Sequence, residues 1–174
     1  MFFVNADIDG SGGSITNQAH RTLEYVLMMG RAGLLTDYPN RSDAISVAEM
    51  SAGRVHATIT AYKPEQIINW RVGDDNRLSL VVLHEVVEVP DGYGCEAVNQ
   101  WRELYIDEGV YRVRLWRMIE NGKSPAVVEE YTPADATGKP FDRIAFTFVG
   151  AQDNNHEPDK SPLLDLTCVN IAHY

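Results

Sequence analysis

Tyr62-Lys-Pro-Glu-Gln-Ile-Ile-Asn-Trp-Arg-Val72 decides how the middle of this chain is read. A strand ends at Tyr62, and Pro64, with its φ fixed and its predecessor restricted to extended backbone, initiates a turn. Ile67 to Val72 then leaves as a return strand. The stretch specifies antiparallel shape and carries none of the residue types of a catalytic loop.

The same period of two continues upstream. Val55, Ala57, Ile59 and Ala61 alternate with His56, Thr58, Thr60 and Tyr62, which predicts a strand burying the first set. Downstream, strands are expected at Leu78 to Val89, Asn99 to Ile106, Val110 to Ile119 and Ile144 to Val149, with a further one from Ala126 to Tyr131. Ahead of them, Asn5 to Gly13 is a loop. Ser14 or Thr16 caps a helix whose Ile15, Ala19, Leu23, Val26, Leu27 and Gly30 keep a 3.6-residue period and which ends near Gly33. Tyr38 to Gly53 reads as a polar connection with a short helix from Ser42 to Met50. At the far end Leu163, Leu164, Leu166, Val169, Ile171 and Ala172 form a helical stripe with no Gly or Asn C-cap. The fold class is α+β: an N-terminal helix packed on an antiparallel β-meander, then a C-terminal helix, in a single domain over residues 1–174.

One hairpin can be registered from sequence. Asp107-Glu108-Gly109 fits a three-residue loop with Gly109 left-handed, so Tyr105 should face Tyr111 and Trp101 should face Leu115. Trp101, Tyr105, Tyr111, Val113 and Leu115 then share the buried side, against which the helix packs. Arg102, Arg112 and Arg114 fall beside Leu104 on the opposite side. That basic stripe would touch a partner subunit or a nucleic-acid backbone, or be a solvated face balanced by nearby carboxylates.

Catalytic patterns are sparse. Asn5, Asp7, Asp9 and Gly10 share the alternating oxygen donors and turn glycine of a calcium loop, but Thr16 stands where a bidentate Glu is needed, so a polar turn into a helix cap is preferred. His20, His56, His84, His156 and His173 have no metal-ligand spacing, and His84 and Glu85 lie on opposite faces of one strand. Ser11 sits among glycines without the strand-turn-helix frame of a nucleophile elbow or a phosphate loop. No catalytic, cofactor or metal residues are assigned.

Composition bounds the partners. With 25 acidic and 15 basic residues in 174, the formal charge of −10 opposes adhesive binding to nucleic acid or anionic lipid. Cys95 and Cys168 have no motif spacing and fit a reduced intracellular state. No apolar run reaches a membrane span, and Met1-Phe-Phe-Val4 is too short for a signal peptide. A soluble cytoplasmic product is expected.

Three anchors in order, Gly30-Arg-Ala-Gly-Leu-Leu-Thr-Asp-Tyr-Pro39, the opening stretch Tyr62 to Val72, and Pro162-Leu-Leu-Asp-Leu-Thr-Cys-Val-Asn-Ile-Ala-His-Tyr174, carry a resemblance. They are similar to a tailed-phage portal-like protein family bearing a domain of unknown function. The resemblance implies an internal, wing-type fragment of a longer subunit. It implies a structural role in virion assembly, in a ring at the DNA packaging and ejection vertex. Its implied partners are further copies of itself, capsid proteins and terminase, with DNA passing and not bound by sequence, and no membrane. The implied location is the virion, and the host cytoplasm during assembly. Arg102, Arg112, Arg114, Leu163, Leu166 and Ile171 are then the candidate partner-contact residues. A second reading is a protein-binding α+β module that recruits its partner through a sheet edge. An unrecognised hydrolase is the third.

Overall fold

Ser14 accepts a hydrogen bond from the Asn17 backbone N–H and starts helix α1, Ile15–Met29. In the computed structural model, which describes residues 7–37, 57–119, 124–135 and 137–173, the helix ends four residues before Gly33. Gly30 takes a φ of 81° and its N–H returns to the Val26 carbonyl. A side chain at Gly30 would strike the backbone carbonyl of Asp159, so the stop is fixed twice, by conformation and by space.

The architecture is α+β, as the sequence pattern implies: an N-terminal helix, antiparallel strands and a C-terminal helix. Directly after α1 comes a strand absent from the sequence expectation, β1, Arg31–Asp37. It is the middle of a three-stranded antiparallel sheet, flanked by β2, Thr58–Tyr62, and β8, Phe146–Gly150. Ala32, Gly33 and Leu35 are all buried. A strand covered on both faces has no reason to alternate, and that hides it from a period-two search.

Two finer expectations change here. Tyr62, assigned to the wet side of its strand, is the buried residue of β2. It pairs with Gly33 and meets Phe146 at 6.5 Å between ring centroids. Phe148 closes the cluster edge-on to Phe146 at 5.2 Å. The buried stripe of α1 is Gln18, Thr22 and Val26, while Ile15 and Leu23 of the expected stripe are 44% and 54% exposed. A hydrogen bond decides this: Gln18 Nε2 donates 3.1 Å to the Ile59 carbonyl on β2. The Ile59 N–H donates in turn to Ile8, so β2's outer edge is supplied with partners from the loop and helix before it.

Pro64–Gln66 is a single 3₁₀ turn, after which the chain enters β3, Ile67–Val72. The turn is not a hairpin loop, because β2 and β3 belong to different sheets. The chain forms two compact units, one containing α1, the three-stranded sheet and the chain from Ala145 on, the other containing Glu65–Ile144. The helix α1 packs on the first unit's sheet. The second unit is the meander: β3, then β4 Leu78–Asp91, β5 Gly94–Asp107, β6 Val110–Ile119 and β7 Ser124–Tyr131, in that spatial order and all antiparallel. Its core is Ile67, Val81, Leu83, Leu104, Tyr111, Val113 and Leu115.

The β5–β6 hairpin is one residue off the expected register. Asp107 pairs with Val110 across a two-residue turn, with Glu108 at φ 49° and Gly109 at φ 79°. Gly109 is left-handed as expected, but Glu108 is too, and two successive positive φ values make the tighter primed turn. Tyr105 therefore faces Arg112 and Trp101 faces Trp116. A one-residue slip exchanges the faces of one strand: Tyr111, Val113 and Leu115 stay on the buried side, joined by Leu104, whereas Trp101 and Tyr105 go to the other. The C-terminal helix α2 spans Leu164–Ala172. The short helix expected from Ser42 to Met50, and the Val55–His56 start of β2, lie outside the described residues.

Candidate protein-interaction surface

β4 and β5 are longer than the strands beside them. Their twelve paired positions run from Leu80 with Tyr105 to Asp91 with Gly94, but β3 reaches only as far as Leu83 and β6 only as far as Gln100. From Val86 opposite Asn99 to the Gly92-Tyr93 turn, the two strands form a ribbon with no third strand among the described residues. Gly92, at φ 59°, takes the first central position of the turn, where an L side chain would be strained. Tyr93 is at the tip, fully exposed, and Val86 is 65% exposed.

The direction of the ribbon's backbone groups follows from its two ends. The His84 carbonyl points toward the β3 side, where Gln66 Nε2 approaches it at 3.5 Å. Alternation then turns the backbone of Val86, Glu88 and Pro90 to β4's outer edge. Asp91 and Gly94 close the two-residue turn as a hydrogen-bonded pair, so Gly94, Glu96 and Val98 face β4 and Cys95, Ala97 and Asn99 face outward. The two edges differ in chemistry. Glu88 and Pro90 blunt the β4 edge with a charge and a missing N–H. Cys95, Ala97 and Asn99 are exposed, uncharged and able to donate.

A polar network secures the ribbon's root on the sheet's buried face. Glu85 Oε1 accepts from Arg102 Nε at 2.7 Å and Glu85 Oε2 from Gln100 Nε2 at 2.7 Å. Arg102 Nη1 reaches the Tyr131 hydroxyl at 3.0 Å, and Arg117 Nε donates to Gln100 Oε1 at 2.9 Å. Gln100 is buried, and the Arg102 and Glu85 side chains are 18% and 12% exposed. Arg102 is thus an internal strut. On the other face His84 pairs with Asn99 Oδ1 at 2.9 Å and packs beside Trp101.

No family model and no curated protein matches the chain.

Arg112 and Arg114 share the face opposite Arg102, because of the register above. Both are engaged: Arg112 with Asp107 at 3.3 Å, Arg114 with Glu130 at 3.0 Å and over the Tyr105 ring at 4.4 Å. The Arg114 hydrogen bond holds the Glu130 carboxyl below the usual carboxylate range, and burial followed by its bond to Glu130 raises the Tyr105 hydroxyl. The three arginines do not form one stripe. Leu163, Leu166 and Ile171 are 39%, 58% and 70% exposed on and just before α2, which buries no residue of its own.

The Asp7 and Asp9 carboxylates serve the loop before α1. Asp9 Oδ1 accepts from the Ser11 and Gly13 N–H groups and Asp7 Oδ1 from Gly12, and the Ser11 bond lowers the Asp9 pKa. Asn5 lies outside the described residues. Among the described residues no group of three or more His, Cys, Asp or Glu side chains could hold a metal ion, and no helix is long and apolar enough to cross a membrane. The ribbon was not anticipated, since the strand expected from Asn99 begins at Gly94. Its signal is Asp91-Gly92-Tyr93-Gly94, turn chemistry directly after a valine-rich run.

Proposed function

We propose that this chain is a non-catalytic assembly protein that engages a protein partner through the open edge of its β-ribbon. The observation that carries the reading is the ribbon from Val86 to Asn99, with valines on both faces and edges that pair with no further strand among the described residues. Two strands alone bury too little to be stable in water, and edge backbone groups are a template for an added strand. The sheet's carboxylates support a structural role: Glu85 holds Arg102 and Gln100, Glu103 accepts from Trp116 Nε1 at 2.8 Å, and Glu130 binds Arg114.

The resemblance to tailed-phage portal-like proteins supplies the context in which we place this module: a subunit that contacts its copies, capsid proteins and terminase at the packaging vertex. A formal charge of −10 suits a protein past which DNA slides. The test is co-expression with the products of the reading frames flanking its gene, using the wild type and a variant with residues 86–99 replaced by a two-residue turn. The expected result is a complex with the wild type only, at an unchanged melting midpoint for the three-stranded unit. Equal binding by the trimmed variant overturns the ribbon reading. Flanking frames that encode neither a terminase nor a capsid protein overturn the portal-like form of it.

A further inference from the structure

Resting on the ribbon reading, we infer that the β5 edge from Gly94 to Asn99 is a slot for an extended, cation-bearing segment of a different protein, which adds as a strand with Lys or Arg beside Glu96. The slot has defined ends. The Gly92-Tyr93 turn closes one, and the other is the end of the β5–β6 ladder at Gln100 and Arg117, past which β6 continues to Ile119 paired with β7 alone. Outward N–H and C=O groups at Cys95, Ala97 and Asn99 give the main-chain bonds.

Charge selects the occupant. The ionisable residues of the ribbon beyond Glu85 are Glu88, Asp91, Tyr93, Cys95 and Glu96, with no Lys or Arg. Glu96 and Val98 project on one face across the slot, and Cys95, Ala97 and Asn99, all small, on the other. A strand laid beside β5 therefore meets one carboxylate, one valine and a row of small side chains. Opposite charges across strands stabilise, and like charges directly opposite destabilise.

A second copy of the chain fits this slot poorly. Two β5 edges paired about a two-fold axis at Ala97 would run the partner's turn into the space of β6. Moving the axis one residue toward the tip clears β6 but sets Glu96 directly against its own copy. A heterologous segment is bound by neither constraint, because its end stays free and its cation can face Glu96.

The probe is a pair of capped hexapeptides, TVTKTV and TVTETV, which in the antiparallel sense place Lys or Glu across from Glu96. Backbone amide shifts and hydrogen exchange of the full chain report where each binds. Expected are protection of the Cys95, Ala97 and Asn99 amides by TVTKTV, binding roughly five- to ten-fold weaker for TVTETV, and exchange of that preference in Glu96→Lys. Ala97→Pro, which removes the central donor, should abolish binding of both peptides with the melting midpoint unchanged. Equal binding of the two peptides by the wild type, or shifts confined to other residues, overturns the inference. Sedimentation of the chain alone separates this from the wider reading: self-association lost in Ala97→Pro would make a second copy the occupant and leave the assembly reading intact. Absence of both peptide binding and self-association at the edge would overturn both.

Discussion

The outer edge of β2 and the outer edge of β5 face one physical problem and answer it oppositely. Both are rows of main-chain donors and acceptors at the side of a sheet. At β2 the loop before α1 and the helix itself turn inward to satisfy them, Ile8 accepting from Ile59 N–H and Gln18 donating to Ile59 C=O. At β5 nothing of the kind happens between Gly94 and Asn99 among the described residues. Other borders of the five-stranded sheet are defended as well. β7 carries Pro125 and the charges of Glu129 and Glu130, and β3 has two register shifts against β4. An edge left plain in a molecule that guards its others points to use.

The largest way to break the comparison is to dislodge the helix that closes β2. Gly30→Val combines a disfavoured left-handed conformation with a collision against the Asp159 carbonyl. It should cost on the order of 3 kcal/mol or more, read as loss of the cooperative thermal transition of that unit. A midpoint within a degree or two of wild type would mean that α1 ends some other way.

Next comes the root of the ribbon. Glu85→Ala removes the acceptor shared by Gln100 and Arg102, both largely shielded from water. The expected loss is about 2–3 kcal/mol, with faster exchange of ribbon amides than of β6 amides. Uniform exchange in the two would show that the network holds the sheet generally and not the ribbon.

Gln18→Leu converts the guarded edge into a plain one. The Ile59 carbonyl loses its donor at a cost of about 1–3 kcal/mol, although the new side chain is more apolar than the old. The sharper readout is association: the variant should acquire concentration-dependent self-association on sedimentation. A more stable, strictly monomeric variant would mean that burial on this helix face matters more than edge satisfaction.

Much of the strand content was legible because water enforces it. β3 and β6 were bounded correctly by alternation and turn residues, and β4 and β7 to within two residues. What stayed hidden depended on partners that the local pattern does not name. β1 reads Arg-Ala-Gly-Leu-Leu-Thr-Asp and is a strand because it is central and covered. Gln18 and Thr22 look like a helix's wet side until β2's edge needs a donor. The face of Trp101 depended on whether Glu108 would accept a positive φ, a single dihedral that reverses every residue of β5. The arginines taken as one stripe were separated by that same register.

Gly109→Val tests that dihedral. A Cβ at Gly109 has open space around it, so the cost is conformational and should be about 1 kcal/mol. Thermal melts of Gly109→Val and of Glu108→Asn, whose side chain tolerates the left-handed region, should move in opposite directions. An unchanged midpoint for both would mean that the turn relaxes into a longer loop at no cost.

The smallest effect concerns the guard on β7. Glu130 binds Arg114 and the Tyr105 hydroxyl, and the Arg114 bond leads in holding its carboxyl below the ordinary 4.5. A group whose folded pKa is depressed contributes stability that is present above its unfolded value and is lost as pH falls through the folded one. The Glu130 contribution should therefore be intact above about pH 4.5 and decline below it. A carbon-detected titration of the Glu130 carboxyl should place its midpoint below that of an unpaired glutamate, and Arg114→Gln should move it back upward. Because Glu130 is open to water and salt screens the pair, Glu130→Gln should change the neutral-pH melting midpoint little while flattening its fall in acid. Tyr105 supplies the companion signal: its hydroxyl, raised first by burial and then by Glu130, should ionise at a lower pH in Glu130→Gln. A Tyr105 midpoint unaffected by the substitution would mean that burial alone sets it. The β7 edge would then be guarded by Pro125 and by the register shift of β7 opposite Leu115 and Trp116, not by this pair.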